Sequence, residues 1–296
     1  MTAAFSEPQI LGFIGTGVMG EPMCRNLAMK SGARVLAWDL SPAPLERLRG
    51  AGVVIAASPA ELAAQASILF LCLPGGAQLR SLCERTLLPA ARPGLTIVDF
   101  GTSGVGLTRE LAQRFAAKGA DYADAPIART REAAQKGTLS VTAGASGEVF
   151  ARIEPLLRCV GSDITHCGAV GSGQAVKILN NMVLFQTVNA LAEALALGRR
   201  AGVDPALLFD ALSKGSADSF ALRNHGMKAM LPGVYPERAF SVEYAAKDNG
   251  YALDLGRETG VRLRGAQLLA DILEEARAAG FGAAYWPVIA KLADRG

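Results

Sequence analysis

The chain is short of charge, histidine, cysteine pairs and long apolar runs, and each shortage excludes something. Only 19% of its 296 residues are charged, and 30 basic against 27 acidic residues leave a net charge of +3. So even a balance provides no basic face for nucleic acid or a membrane surface, although a small anion needs only one well-placed cation. There are two histidines, His166 and His225, and five cysteines, Cys24, Cys72, Cys83, Cys159 and Cys167. No CxxC pair and no cysteine–histidine set at zinc-ligand spacing is present, so no metal site is expected. Scattered, odd-numbered thiols in an apolar chain read as reduced core cysteines of a cytoplasmic protein. The apolar run from Met182 to Leu197 is broken by Gln186, Asn189 and Glu193, which argues against a membrane span. Met1–Pro8 has neither the basic start nor the apolar stretch of a signal peptide.

What is abundant is apolar. Hydrophobic residues make up 50% of the chain and mean hydropathy is +0.25, the opposite of a disordered composition. The length suggests two domains. Up to about Cys167, β-rich runs (Ile10–Ile14, Arg34–Trp38, Ile68–Leu73, Thr96–Phe100, Tyr122–Ile127, Leu139–Ala143) alternate with helical patterns such as Met19–Met29, Pro44–Arg49 and Thr108–Lys118. That alternation implies βαβ units and a mostly parallel sheet, an α/β domain over 1–167. From 168 to 296 the pattern is helical, with segments Pro205–Leu212, Tyr244–Thr259, Gly265–Ala279 and Trp286–Ala293. A run from Gln174 to about Arg200 lacks proline and has no internal glycine before Gly198. As one helix it would extend about 40 Å and join the two domains.

Gly15-Thr16-Gly17-Val18-Met19-Gly20 matches G-x-G-x-x-G. With 33 glycines in the chain, three fixed ones arise by chance about 0.4 times. The motif means little alone; its surroundings make it specific. It follows a strand, opens a helix, and is followed by a second strand ending at Asp39. Gly15 permits the tight turn, Gly17 lets backbone approach a pyrophosphate, and Gly20 allows close helix–strand packing. The helix start offers N–H groups to phosphate. Asp39 would accept from a ribose 2′-OH and repel a 2′-phosphate, and Leu40-Ser41 supply no arginine after it. NAD is favoured over NADP.

A dinucleotide domain does not name the chemistry. No tyrosine has a lysine four residues on, and neither histidine stands in a catalytic context. The polar residues of the long helix are more informative. Spacings of three and four put Gln174, Lys177 and Asn181 on one face among apolar neighbours. Two readings stand at this point: an acid/base lysine facing a ligand, or a lysine that snorkels to water beside a capping asparagine.

Taken together, these segments resemble the β-hydroxyacid dehydrogenase family, over nearly the whole chain. The resemblance rests on Gly15–Gly20 with Met19, Leu73-Pro74, Asp99 with Thr102, Asp124-Ala125-Pro126, Gly137-Thr138-Leu139, Gly171 to Asn181 with Lys177, and Lys247-Asp248. It implies Lys177 as catalytic acid/base and Asn181 as a substrate ligand; Asn180, beside it, is expected to hold the substrate too. It also implies cofactor contacts from Val18, Met19, Asp39, Leu73, Pro74, Gln78, Thr102 and Lys247, and assembly as a homodimer or homotetramer. Where many members read Val-Ser-Gly-Gly after Asp-Ala-Pro, this chain has Ile127-Ala128-Arg129-Thr130. Pro-x-x-Arg-Thr is similar to the sulfolactaldehyde reductase branch, which implies Arg129 and Thr130 as readers of a sulfonate. Gly101-Thr102-Ser103-Gly104-Val105 departs from the usual Ser-Thr-x-x-Pro. The expected activity is NAD-dependent interconversion of a small anionic aldehyde, 3-sulfolactaldehyde first, and its primary alcohol. Carboxylate substrates of the 3-hydroxyisobutyrate or tartronate semialdehyde type are the alternative. A non-catalytic dinucleotide-binding scaffold is the alternative of another class, which loss of the lysine would mark; Lys177 is present.

Overall fold

The structure is a computed structural model that describes residues 9–237 and 239–294. The reading of Met1–Pro8 lies outside the described residues. Compact units divide at Lys177/Ile178, inside a helix, where the change of sequence texture came at 167/168.

The first unit is built on strands β1 (Ile10–Ile14), β2 (Arg34–Trp38), β3 (Val54–Ile55), β4 (Ile68–Leu71), β5 (Thr96–Asp99), β6 (Asp121–Asp124), β7 (Ile127–Ala128), β8 (Leu139–Gly144) and β9 (Gly161–Gly168). β3-β2-β1-β4-β5-β6 pair in parallel, in that order, with β8 antiparallel to β6. This is the dinucleotide-binding order, whose topological switch lies between β1 and β4. Side-chain alternation sorts each central strand onto two faces. Phe13, Phe70, Val98 and Phe100 join one core with Met23 and Leu27 of helix Gly20–Lys30 and Ile153 of helix Gly147–Val160. Ile14, Leu69, Leu71 and Ile97 join the other with Leu62, Leu111 and Phe115. Both faces are therefore covered, and burying each such side chain contributes about 1.5–3 kcal/mol.

β1 and β2 have the bounds read from the sequence; β3 and β9 were not foreseen. β3 has two residues, and β9 is an edge strand whose Ser162, Asp163, Thr165 and His166 are exposed, so neither carries an apolar run. The expected strand Tyr122–Ile127 is interrupted at Pro126, which has no N–H to give, and resumes as β7 against β8.

The long helix spans Ser172–Arg200. Its residues from Ile178 onward belong to the second unit, where Phe185, Val188, Leu191 and Leu195 pack with Phe209, Val242, Leu273 and Trp286. Helix starts there are set by side chains: Asp204 accepts from Leu207 N–H before Pro205–Ser213, and Ser241 from Tyr244 N–H before Val242–Thr259. No helix among the described residues is long and apolar enough to cross a membrane.

Candidate active site

The carboxyl ends of β1, β2, β4 and β5 carry most of the residues singled out for a dinucleotide. Gly15 has φ +93°, and a Cβ there would stand 2.3 Å from the Cys72 carbonyl oxygen after β4. A Cβ on Gly20 would stand 1.9 Å from the Gly15 carbonyl oxygen. The turn closes only with glycine at both positions. Gly17 is different: nothing lies within 4 Å of where its Cβ would be, and Val18 beside it is 54% exposed. The apex therefore offers bare backbone to open space at the start of helix Gly20–Lys30, where Met19 is the N-cap. The open Gly17 apex and this helix start fit a pyrophosphate. Asp39 is held at the end of β2, its Oδ1 accepting from Ser41 N–H at 2.7 Å and its Oδ2 from Thr16 N–H. Leu73, Pro74 and Gln78 follow β4, with Gln78 exposed on helix Gly76–Leu82. Thr102 follows β5 in a loop whose Gly101 approaches the Leu73 backbone.

The ends of β5 and β6 hold two buried carboxylates that sequence reasoning quoted only as motif letters. Asp99 accepts from Gly101 N–H at 2.9 Å and from Ser103 Oγ at 3.4 Å. Asp124 accepts from Gly171 N–H and Gln174 N–H, both at 2.7 Å, at the start of the long helix. Gln174 does not share an open polar face with Lys177. It is fully buried, donating from Nε2 to Gly101 O at 2.8 Å and accepting on Oε1 from Ser103 N–H at 3.2 Å. Burial pushes Asp99 up to about 7, partly offset by the Gly101 N–H, and pushes Asp124 up to about 6 against the Gly171 and Gln174 N–H bonds.

Both folded values exceed the ordinary aspartate value of 3.8, so ionising these groups costs stability in full above about pH 7, and the cost fades as pH falls toward 4. Asp99→Asn should therefore raise stability at pH 8 by roughly 1–3 kcal/mol, a gain that shrinks to about a third of that at pH 5 and disappears only below about pH 4. Thermal unfolding of the two proteins at both pH values checks this; equal destabilisation at pH 8 and pH 5 would contradict it.

Lys177 is half-buried one turn beyond Gln174, and Asn181 follows one turn later on the same helix. Asn181 is buried in the second unit, where its Nδ2 donates to Asp248 Oδ2 at 2.8 Å. Lys247 pairs with the other oxygen of Asp248 at 2.7 Å, its ammonium 5.0 Å from the Tyr251 ring centroid. Asn180 is exposed and donates to Asn181 Oδ1.

Arg129 is the one non-glycine residue with positive φ among those described, at +86°. Its guanidinium donates to Thr138 O at 2.7 Å and Ser162 Oγ at 3.0 Å, and pairs with Asp163 at 2.8 Å. Thr130 accepts from Ala133 N–H as the N-cap of helix Arg131–Lys136.

The histidines take structural places. His166 Nε2–H donates to Ala145 O at 2.9 Å and its ring stacks on Phe150. His225 is buried, with Nδ1 2.5 Å from Tyr285 Oη, and burial pushes its pKa down to about 4. The five cysteines are free; Cys24, Cys83 and Cys159 are buried, whereas Cys72 and Cys167 are partly exposed rather than core thiols. No group of three metal-ligating side chains occurs among the described residues.

Residues 10–168 match the NAD binding domain of 6-phosphogluconate dehydrogenase, and residues 171–289 match the NAD-binding region of NADP-dependent 3-hydroxyisobutyrate dehydrogenase. The chain is also 36% identical over 274 residues to 2-(hydroxymethyl)glutarate dehydrogenase of Eubacterium barkeri, covering 92% of this chain and 90% of that one. The chain belongs to the β-hydroxyacid dehydrogenase family. This dehydrogenase is an NAD(P)-dependent oxidoreductase acting on CH–OH groups. Among solved structures, Mycobacterium tuberculosis 3-hydroxyisobutyrate dehydrogenase with L-serine aligns at TM-score 0.85 and 29% identity, over 97% of this chain and 99% of that one. Psf3 in complex with NADP+ and 2-OPP aligns at TM-score 0.83 and 25% identity, over 95% and 99%.

Proposed function

We propose that this dehydrogenase uses NAD to interconvert a small anionic aldehyde and its primary alcohol, with Lys177 as general acid/base. The observation that carries the reading is the place of Lys177. It stands half-buried one turn into a helix whose first turn is bonded through Gln174 to Asp124 and to the Gly101 carbonyl, with Asn181 one turn further. A bound nicotinamide supplies or accepts the hydride. In reduction the Lys177 ammonium gives its proton to the carbonyl oxygen as negative charge develops there; in oxidation the neutral amine takes the hydroxyl proton. Asn180, Asn181, Arg129 and Thr130 are the proposed substrate ligands, and Lys247 is a proposed cofactor ligand.

Asp39 supports NAD over NADP. Its carboxylate is fixed by two backbone N–H groups and no arginine follows, so a 2′-phosphate would meet an immobile like charge. NADH should give a kcat/KM roughly 100-fold above NADPH, and Asp39→Ser should narrow that gap. Steady-state assays with both cofactors test this, and an NADPH preference in the wild type would overturn it.

The substrate anion has two readings. Arg129 and Thr130 suit the sulfonate of 3-sulfolactaldehyde. A carboxylate is supported by relatives named for 2-(hydroxymethyl)glutarate and 3-hydroxyisobutyrate. The Arg129–Asp163 pair is 40% and 57% exposed, worth about 0–1 kcal/mol, so an incoming anion can displace it. NADH oxidation with 3-sulfolactaldehyde beside methylmalonate and tartronate semialdehydes separates the readings. The highest kcat/KM identifies the anion, and no turnover of any anionic aldehyde would overturn the function.

A further inference from the structure

The start of the long helix is tied to the loop after β5 by one buried amide. Gln174 accepts from the N–H of Ser103 and donates to the carbonyl of Gly101, so a single side chain meets both backbone groups flanking Thr102. Ser103 Oγ also lies 3.1 Å from Thr108 Oγ1 and 3.4 Å from Asp99. On the other side of the same residue, the Gln174 N–H donates to Asp124, which also receives the Gly171 N–H. The carboxylate has no slack: a Cβ on Gly173 would stand 2.9 Å from its Oδ2, and one on Gly144 2.5 Å from its Oδ1. Lys177 is three residues past Gln174, about 4.5 Å along the helix axis. Any rotation of the first turn would therefore swing the lysine.

We propose that Asp124 and Gln174 are positioning residues, which lock the helix carrying Lys177 to the Thr102 loop and fix the direction in which the ammonium is presented. The inference rests on Lys177 as the acid/base. Gln174 acts by geometry alone, whereas Asp124 adds a negative charge at the positive end of the helix dipole. The charged and titratable groups around Asp124 are Asp99 on the neighbouring strand β5, Tyr122 on β6 itself and Cys167 near the end of β9, with Arg109 against Gly171. Arg109 is the single cation in this set, so removing the Asp124 charge leaves the helix start more positive. Lys177 would then release its proton at lower pH.

The test uses Gln174→Met and Asp124→Asn in the full-length protein, beside Lys177→Ala. Gln174→Met should lower kcat roughly 10- to 100-fold, the scale of an ångström-level misplacement, with NADH affinity within about threefold of wild type and the pH profile unmoved. Asp124→Asn should lower kcat similarly and also shift the lysine-dependent pKa in kcat/KM down by about 0.2–0.7 unit. Amide exchange at Gly171 and Gln174 should quicken in Asp124→Asn. If Asp124→Asn does not fold, the split between kcat and NADH affinity in Gln174→Met decides. Wild-type kcat in both variants, or a kcat loss matched by an equal loss of NADH affinity, would overturn the proposal. Undiminished turnover in Lys177→Ala would instead overturn the acid/base reading beneath it.

Discussion

Lys177→Ala should lower kcat by two to four orders of magnitude while NADH still binds with an affinity within a few-fold of wild type. That range is what a positioned proton donor contributes. Alanine is the best helix former, so Ser172–Arg200 keeps its backbone. The anchoring of its first turn by Asp124 is a backbone contact that the substitution leaves alone. The loss is therefore one of chemistry and not of folding. Lys177→Arg sharpens the test, because a guanidinium keeps the charge but does not release a proton near neutral pH. It should be nearly as impaired as alanine. Steady-state kinetics with fluorescence titration of NADH checks both variants, and an arginine variant near wild-type activity would show that charge alone suffices.

The second large effect lies in the glycine turn, where two outwardly similar substitutions should behave differently. In Gly20→Ala the new methyl would stand 1.9 Å from the Gly15 carbonyl oxygen, a backbone atom that cannot move without opening the turn. Stability should fall by about 3 kcal/mol, and NADH binding should weaken by about 100-fold with the distorted loop. In Gly17→Ala the methyl meets nothing within 4 Å, so the fold should be untouched. The methyl nevertheless occupies the space that a pyrophosphate would need, and NADH binding should weaken by a similar factor without change in melting temperature. Thermal unfolding and NADH titration together separate the cases. Normal NADH affinity in Gly17→Ala would place the dinucleotide elsewhere.

The fold was legible where residues are apolar and periodic. Ile10–Ile14 and Arg34–Trp38 carry enough apolar character to mark strands to the residue, whereas the switch between β1 and β4 is a matter of spatial order. Edge strand β9 was missed because an edge exposed to water needs no apolar run. The turn at Gly15 and Gly20 was readable because close backbone approach constrains residue type there, whereas the bonds of Asp39 to Thr16 and Ser41 N–H were not foreseen. Gln174 was assigned to the wrong surroundings. Helical spacing alone puts it beside Lys177, but spacing does not reveal that the loop after β5 covers that face with two backbone groups in need of partners. Asp99 and Asp124 appeared only as motif letters, since burial of a carboxylate is a tertiary property. The positive φ of Arg129 was not legible either: such a conformation costs about 1–3 kcal/mol and persists only where surroundings enforce it, and those surroundings are tertiary.

The most direct measurement follows an isotope. NADH deuterated at the transferable position of C4 is incubated with the enzyme and the best anionic aldehyde, and the product is examined by mass spectrometry and NMR. One deuterium on the new CH2OH carbon, delivered at a rate at least 100-fold slower with Lys177→Ala, is the result expected of hydride transfer to an aldehyde assisted by that lysine. Deuterium at any other carbon, or equal rates in the two proteins, would contradict it.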